Sequence, residues 1–443
     1  MIELIGGEEQ FGRAVTYIIT PMNTIVPIIP GRLYWSSCLN PPAGYYPFNV
    51  DQSLAYEEIM NDFGPLDLGK IHRFCTELSQ LLDTEKQPIL HYSSTFPFKR
   101  ANSALLMCAF QIFILDKDPE DVWKLFERLP NFRPFRDAGV GPSPYDCRLE
   151  HCISGLHKAK ELGWYDFKAF NLEQYNTLRE LHNGNMTWIV PGKLLAFSSP
   201  GHKLKDEEGY YNVTPEFCTI IFKRLGITAV VRLCRPTYES QRFLRNGMRH
   251  YELYEDQQKS VFSVAAISEF NDLVDSEAAI AVHCKGGYGL APTLIGTYVL
   301  KQGLMDAHEY IAWCRICRPG SIIGVQQKFL EQAEHYRWKK RFYPKAKISI
   351  FTPLKAFYVT PKSHHWSRTR RNSRGPGKTS SPPPGSTVVN LSRHQSRSFL
   401  NSTTDLKTAR SGAVTATLLD PKYSRNTSTL SFMNSTFRPK SAL

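Results

Sequence analysis

Ile29-Pro30-Gly31-Arg32-Leu33-Tyr34-Trp35-Ser36-Ser37 recurs, with one extra residue, as Val190-Pro191-Gly192-Lys193-Leu194-Leu195-Ala196-Phe197-Ser198-Ser199. Two copies of one folding unit are the direct reading. Each copy continues with a short apolar run ending in histidine, then a loop, then an apolar helix. Pro88-Ile89-Leu90-His91 precedes a helix over 103–115, and Ile280-Ala281-Val282-His283 precedes one over 293–300. Strand, loop and helix in that order make an anion cradle, because the loop amides and the positive end of the helix point at one place. The pattern predicts a mixed α/β chain with a central sheet in each half.

Length and charge narrow the remainder. At 443 residues the chain is long enough for two or three domains with cores of their own. The ten cysteines are scattered. The start carries Glu3, Glu8 and Glu9 where a secretory leader has basic residues and an apolar block. Both features predict a cytosolic or nuclear chain with reduced thiols. The apolar stretch over 104–115 is too short to span a bilayer, and Pro27 and Pro30 interrupt the run around Ile25 to Ile29, so no membrane partner is expected. The net charge of +13 suggests a nucleic-acid binder only until it is located. Residues 361–443 hold 14 Lys or Arg against Asp405 and Asp420, which leaves +1 for residues 1–360. That tail, with Ser380-Ser381-Pro382-Pro383-Pro384 near its start, has too little apolar surface to offset an ordering entropy of roughly 1–2 kcal/mol per residue, so disorder is expected. Its run Arg368-Thr369-Arg370-Arg371-Asn372-Ser373-Arg374 suits acidic surfaces or nuclear import. Thr352-Pro353, Thr360-Pro361 and Ser381-Pro382 match proline-directed kinase sites, whose phosphorylation cuts the tail's positive charge. The tail lacks the interleaved aromatics of a single-strand binder, which argues against nucleic acid.

Between the copies, 148–181 reads as a helix with apolar spacing at Cys152, Leu156 and Leu162 and a break at Asn183-Gly184. Helices over 307–318, stopped by Pro319-Gly320, and over 326–342 follow the second loop. The expected division is a domain over 1–147, a linker helix over 148–185, a second domain over 186–345 and the tail over 346–443.

His283-Cys284-Lys285-Gly286-Gly287-Tyr288-Gly289 lies between a buried strand and a helix with Pro292 in its first turn. Three glycines let the backbone amides turn inward. Beneath them and the helix dipole, Cys284 is expected to exist partly as thiolate, which attacks phosphorus and forms a cysteinyl-phosphate. The local pattern alone also fits an inert buried cysteine in a glycine turn.

At this point the chain, from about Phe63 to Trp338, resembles the mitotic-exit dual-specificity phosphatases, the cell-division-cycle-fourteen family that reverses cyclin-dependent kinase phosphorylation. The resemblance rests on Asp62-Phe63-Gly64-Pro65-Leu66, Lys99-Arg100-Ala101-Asn102, Pro134-Phe135-Arg136-Asp137-Ala138, Trp188-Ile189-Val190-Pro191-Gly192-Lys193, Arg315-Ile316-Cys317-Arg318-Pro319-Gly320-Ser321 and Gly324-Val325-Gln326-Gln327. It implies tandem cysteine-phosphatase domains of which only the second is catalytic, with phosphoproteins carrying Ser/Thr-Pro or Tyr phosphates as partners. It also implies residence in the nucleus and cytoplasm, at the spindle or centrosome. Tyr92 stands at the nucleophile position of the first copy, so that copy reads as a scaffold.

The family's phosphate loop runs His-Cys, five residues, Arg, then Ser or Thr. Counting from Cys284 places Leu290 at the arginine, Ala291 at the hydroxyl, and Pro292 where the family has glycine. The arginine fork normally makes two charge-assisted bonds to phosphoryl oxygens and is worth on the order of 10³–10⁵ in rate. An impaired protein phosphatase, or pseudophosphatase, that binds phosphoproteins is the resulting expectation, with a slow enzyme using Cys284 as the alternative. Lys285, Gly286, Gly287, Tyr288, Gly289 and Leu290 would line the phosphate, with His283 and Ala291 in support. Asp256 falls at the family's general acid, although Gln257-Gln258-Lys259-Ser260 departs from its loop, and a solvated carboxylate is the other reading. Gln326 or Gln327 is expected to position the hydrolytic water, or else simply to begin a helix. The family's acidic linker groove selects basic residues after phosphoserine-proline; here only Glu173 and Glu180 of 170–180 stay acidic, so that preference is expected to weaken.

No metal or cofactor is implied. Cys314-Arg315-Ile316-Cys317 has redox or metal spacing but lies on a predicted helix without a second pair, and reads as core. Arg315 and Arg318 read as ion-pair partners; the other reading is that Lys285, Arg315 or Arg318 supplies the missing cation. His91 and His283 are expected to hydrogen-bond the loop backbone.

Overall fold

The computed structural model describes residues 24–205, 212–254 and 261–335; Asp256, the end of the expected last helix and the tail lie outside the described residues. The repeated Pro-Gly segment is a hairpin. β1 (Val26–Ile29) and β2 (Leu33–Ser37) pair antiparallel through a turn in which Gly31 has φ +78°. That left-handed conformation favours glycine and explains why the motif is kept in both copies. β3 (Tyr46–Phe48) and β4 (Ile89–Ser93) complete a sheet of order β1-β2-β4-β3, parallel from β2 onward. Helices α1 (Leu68–Thr84) and α2 (Pro97–Phe113) follow β3 and β4, and α3 (Pro119–Lys124) comes after them. The expected helix over 103–115 starts six residues earlier because Pro97, with its φ preset and no amide to satisfy, opens the first turn.

The segment expected as one linker helix folds as two, α4 (Leu149–Glu161) and α5 (Leu172–Arg179). Leu162 closes α4 and Gly163 follows at φ +67°, a conformation that ends a helix; Asn171 then caps α5 by accepting from the Gln174 amide. α4 is buried rather than spanning solvent. It packs between α2 and a later helix over Ala307–Cys317, whose Glu309 carbonyl would lie 2.7 Å from a Cβ at Gly155, so only glycine allows that approach.

The second half repeats the scheme. β5 (Thr187–Val190) and β6 (Leu194–Ser198) form the hairpin, now turning at Gly192 with φ +72°. α6 (Pro215–Arg224), β7 (Ala229–Arg232), α7 (Gln241–Leu244), β8 (Arg249–Glu252), α8 (Val264–Ser276) and β9 (Ile280–Cys284) follow, then α9 (Leu290–Lys301), α10 (Ala307–Cys317) and α11 (Val325–His335). The sheet order β5-β6-β9-β7-β8 is that of the first sheet with one strand added. The chain is thus an α/β protein with two sheets of related topology. One apolar core joins them, running from Phe74 and Phe110 through Leu156 of α4 to Trp313 of α10 and Ile295 of α9. Among the described residues no helix is long and apolar enough to cross a membrane.

Candidate active site

β9, the central strand, ends at Cys284 in register with Ser198 of β6, and the chain then turns through 285–289 into α9. Every carbonyl of that turn is pulled outward. Lys285 O accepts from the Ser199 amide (3.0 Å), and Gly286 O from Ser198 Oγ (2.9 Å) and Arg318 Nη2 (3.3 Å). Gly287 O accepts from Arg318 Nε (2.8 Å), Tyr288 O from the Ile322 amide (2.8 Å), and Gly289 O from Thr293 Oγ1 (2.8 Å). The amides of Gly286, Gly287, Tyr288 and Gly289 donate to no acceptor among the described residues. Four successive N–H groups at the opening of a helix, with their carbonyls tied back, form a nest for an anion. Gly287, at φ +75°, makes this possible: a Cβ would overlap the Phe197 carbonyl oxygen and lie 2.7 Å from Arg318 Nη2. Gly287→Ala is expected to destabilise the fold by about 1–3 kcal/mol and to abolish phosphate-dependent thermal stabilisation, as read by differential scanning fluorimetry.

Cys284 lies at the floor of the nest with 7% of its surface exposed. His283 is fully buried; its Nδ1–H donates to Cys284 O (3.1 Å) and its Nε2 accepts from the Tyr238 hydroxyl (2.6 Å). Burial drives its pKa down to about 3, so the ring is neutral at ordinary pH. Tyr238 in turn accepts from His250 Nε2 (2.9 Å), likewise depressed by burial to about 4. The histidine bonds the loop backbone as expected, but the Tyr238–His250 extension had no motif to announce it. His91 differs from expectation. Its Nδ1–H donates to Phe48 O of β3 (3.1 Å) and its Nε2 accepts from Ser103 Oγ, outside the loop.

Leu290, half-buried against the core, and buried Ala291 open α9 and offer no side-chain donor. Arg315 and Arg318 are structural, but among the described residues neither pairs with a carboxylate as expected. Arg318, 1% exposed, gives Nε and Nη2 to the outer face of the loop and Nη1 to Asn185 O (2.6 Å), Asn185 Oδ1 (3.1 Å) and Thr187 Oγ1 (3.1 Å). Arg315 donates to Ser321 O, Phe135 O, Ile322 O and Gln327 Oε1. All but Thr187 Oγ1 of these acceptors are carbonyl oxygens, because the turns the two arginines hold turn C=O groups into a buried interface where each needs a donor. Lys285 projects an exposed side chain.

The two glutamines separate. Gln326 packs against the loop, its Nε2 2.9 Å from where a Cβ at Gly289 would stand, while its Oε1 accepts from the Ile323 amide (3.0 Å). Gln327 is tied away, donating to Asp137 Oδ2 (2.9 Å) and accepting from Arg315. Asp137, from the first half, also accepts from the Gly324 amide (2.6 Å), so that half braces the segment carrying Gln326. Cys314 and Cys317 sit in the apolar core on α10. In the first copy Ser37 pairs with Ser93 as Ser198 pairs with Cys284, so the strand register sets Ser93, rather than the expected Tyr92, at the position of Cys284. There the Ser94 amide is already filled by Asp51 Oδ2 (2.9 Å), an internal carboxylate in place of a ligand.

Residues 27–159 match the family model described as dual specificity protein phosphatase, N-terminal half. The chain is 39% identical over 315 residues to human dual specificity protein phosphatase CDC14A, covering 69% of this chain and 53% of that relative. It is 35% identical to human CDC14C, covering 67% of each, and 30% identical to the tyrosine-protein phosphatase CDC14 homolog of Schizosaccharomyces pombe, covering 82% of this chain and 71% of the relative. The chain belongs to the CDC14 dual-specificity phosphatase family. It spans about half the length of the human and mouse CDC14A relatives it matches. The loop after β9 carries the buried Cys284, the amides of 286–289 and, at the first residue of α9, Leu290.

Proposed function

We propose that this chain is a catalytically impaired CDC14-family phosphatase that binds phosphorylated proteins at the loop 284–290 and turns them over poorly or not at all. One observation carries the reading. The nest over Cys284 presents four amides that donate to no acceptor among the described residues, yet Leu290 brings no guanidinium, and Arg315 and Arg318 are committed to oxygens of the surrounding turns. Amides and a helix dipole hold a phosphate dianion in the ground state. Charge spreading over the equatorial oxygens in the transition state needs the fork that is missing, and only differential stabilisation speeds the reaction.

Turnover of a small aryl phosphate by the purified wild-type chain, set beside Cys284→Ser and an active relative, tests this. The two variants of this chain should be indistinguishable and lie at least about 10³-fold below the relative. A wild-type rate within tenfold of the relative defeats the proposal. Affinity for a phosphoserine-proline peptide should change less than about threefold in Cys284→Ser, because amides rather than sulfur carry ground-state binding. A slow enzyme is the second reading, favoured by the retained Cys284, and a phosphoenzyme trapped on that cysteine supports it. Residence in the nucleus and cytoplasm, at the spindle or centrosome, belongs to the family reading and is tested by imaging the tagged chain.

A further inference from the structure

We infer that Arg179 makes the mouth of the phosphate loop select phosphopeptides carrying a further acidic side chain, an assignment that rests on the phosphoprotein-binding reading above.

Arg179 ends α5, and two sets of bonds fix it beside the loop. On one side its Nη1 donates to the Tyr175 hydroxyl (3.1 Å), which donates to Cys317 O (2.9 Å), the carbonyl preceding the Arg318 strut. On the other, the Asn185 and Met186 amides donate to Glu180 O (3.0 Å) and Leu178 O (2.7 Å), while Asn185 Nδ2 donates to the Tyr288 hydroxyl (2.8 Å). The residues flanking Arg179 are therefore strapped to the pair that touches Tyr288 of the nest. The guanidinium lies over the Tyr175 ring, 5.0 Å from its centroid, with the side chain 26% exposed. It is a preorganised cation rather than a waving one.

Its charge is not used up. Asp67 Oδ1 stands 3.3 Å from Arg179 Nη1 and the same carboxylate accepts from the Lys70 amide and lies 3.7 Å from Lys70 Nζ, which also faces exposed Glu57 (3.4 Å), so the pairing engages Nη1 alone of the Arg179 fork. Arg179 Nε and Nη2 donate to no acceptor among the described residues, leaving an edge of the fork for an incoming carboxylate or phosphate. Burial alone would pull the Arg179 pKa down; Tyr175, Asp67 and Tyr288 outweigh it, and the pKa is raised. Of the acids on and after α5, Glu173 is exposed on the first turn and Glu180 faces His182 (4.0 Å), and neither pairs with Arg179 among the described residues. Tyr288 of the nest is close enough to Arg179 to act on its charge, which ties this guanidinium to the mouth that a peptide flanking a seated phosphate would cross.

The experiment uses the full chain and fluorescence anisotropy with two phosphoserine-proline peptides, flanked by Asp/Glu or by Lys/Arg, and their unphosphorylated counterparts. The acidic phosphopeptide should bind about fivefold tighter at low salt, with the preference shrinking as salt rises. Arg179→Gln, which keeps a donor for Tyr175, should bring the ratio near one, and Arg179→Glu should invert it; circular dichroism confirms that each variant is folded. Equal, phosphate-dependent binding of both peptides, or a preference that survives Arg179→Gln, overturns the role of Arg179 while leaving the phosphoprotein-binding reading intact. If neither peptide gains affinity from its phosphate, that reading fails and this assignment falls with it.

Discussion

Leu290→Arg combined with Ala291→Thr is expected to raise turnover of a small aryl phosphate by at least about 10³-fold over the wild-type chain. The reason is that the rest of the cradle is built. The carbonyls of 285–289 are tied outward, the amides of 286–289 face the space above Cys284, and Gln326 abuts Gly289. What the site lacks is a planar donor pair at the first residue of α9, and a cation so placed is worth on the order of 10³–10⁵. The arginine stem can cover the apolar surface that Leu290 now covers, because guanidinium side chains pack along their methylenes. Ala291 is fully buried, so threonine there costs about 1–3 kcal/mol of packing, and the single Leu290→Arg variant separates that cost from the gain in rate. Adding Cys284→Ser to the double variant must remove the gained activity. A restored arginine that leaves turnover within tenfold of wild type, with phosphate binding intact, would show that Leu290 is not what holds the chemistry back.

The parts of this molecule that sequence could announce are those set by local backbone demands. The Pro-Gly hairpins at Gly31 and Gly192, the strand ending in His283-Cys284 and the glycine run of the nest all follow from short-range rules. The split of the linker into α4 and α5 was less visible, since apolar spacing continues past Leu162 while the break is made by one glycine at φ +67°. Long-range partners were not legible at all. Arg318 reaches Asn185 across 133 positions, and Gln327 reaches Asp137 across 190; nothing in either neighbourhood marks the pairing. The same holds for the Tyr238 hydroxyl between His283 and His250, and for Asp51 filling the first copy's loop. Polar side chains in a sequence advertise need of a partner, not which one, and burial decides the rest.

Arg318 shows what that distinction means for function. A reading in which it supplies the missing cation requires it to leave Gly287 O, Asn185 O, Asn185 Oδ1 and Thr187 Oγ1 without their donor, in an interior where a stranded polar group costs about 1–3 kcal/mol. No single phosphate contact returns that sum. Arg318→Met, similar in length and uncharged, is therefore expected to lower stability by about 3–5 kcal/mol in denaturant unfolding. It should also abolish phosphate-dependent stabilisation, because the Gly286 and Gly287 carbonyls it holds are what turn the neighbouring amides inward. Arg318→Lys, which keeps the charge but not the fork, should recover little of either. The opposite pattern, with Met costing little stability while any residual turnover disappears and Lys restores it, would assign Arg318 to the transition state. The geometry weighs against that outcome: the guanidinium lies beneath the loop and bonds the carbonyl side of the peptide planes whose amides face the ligand.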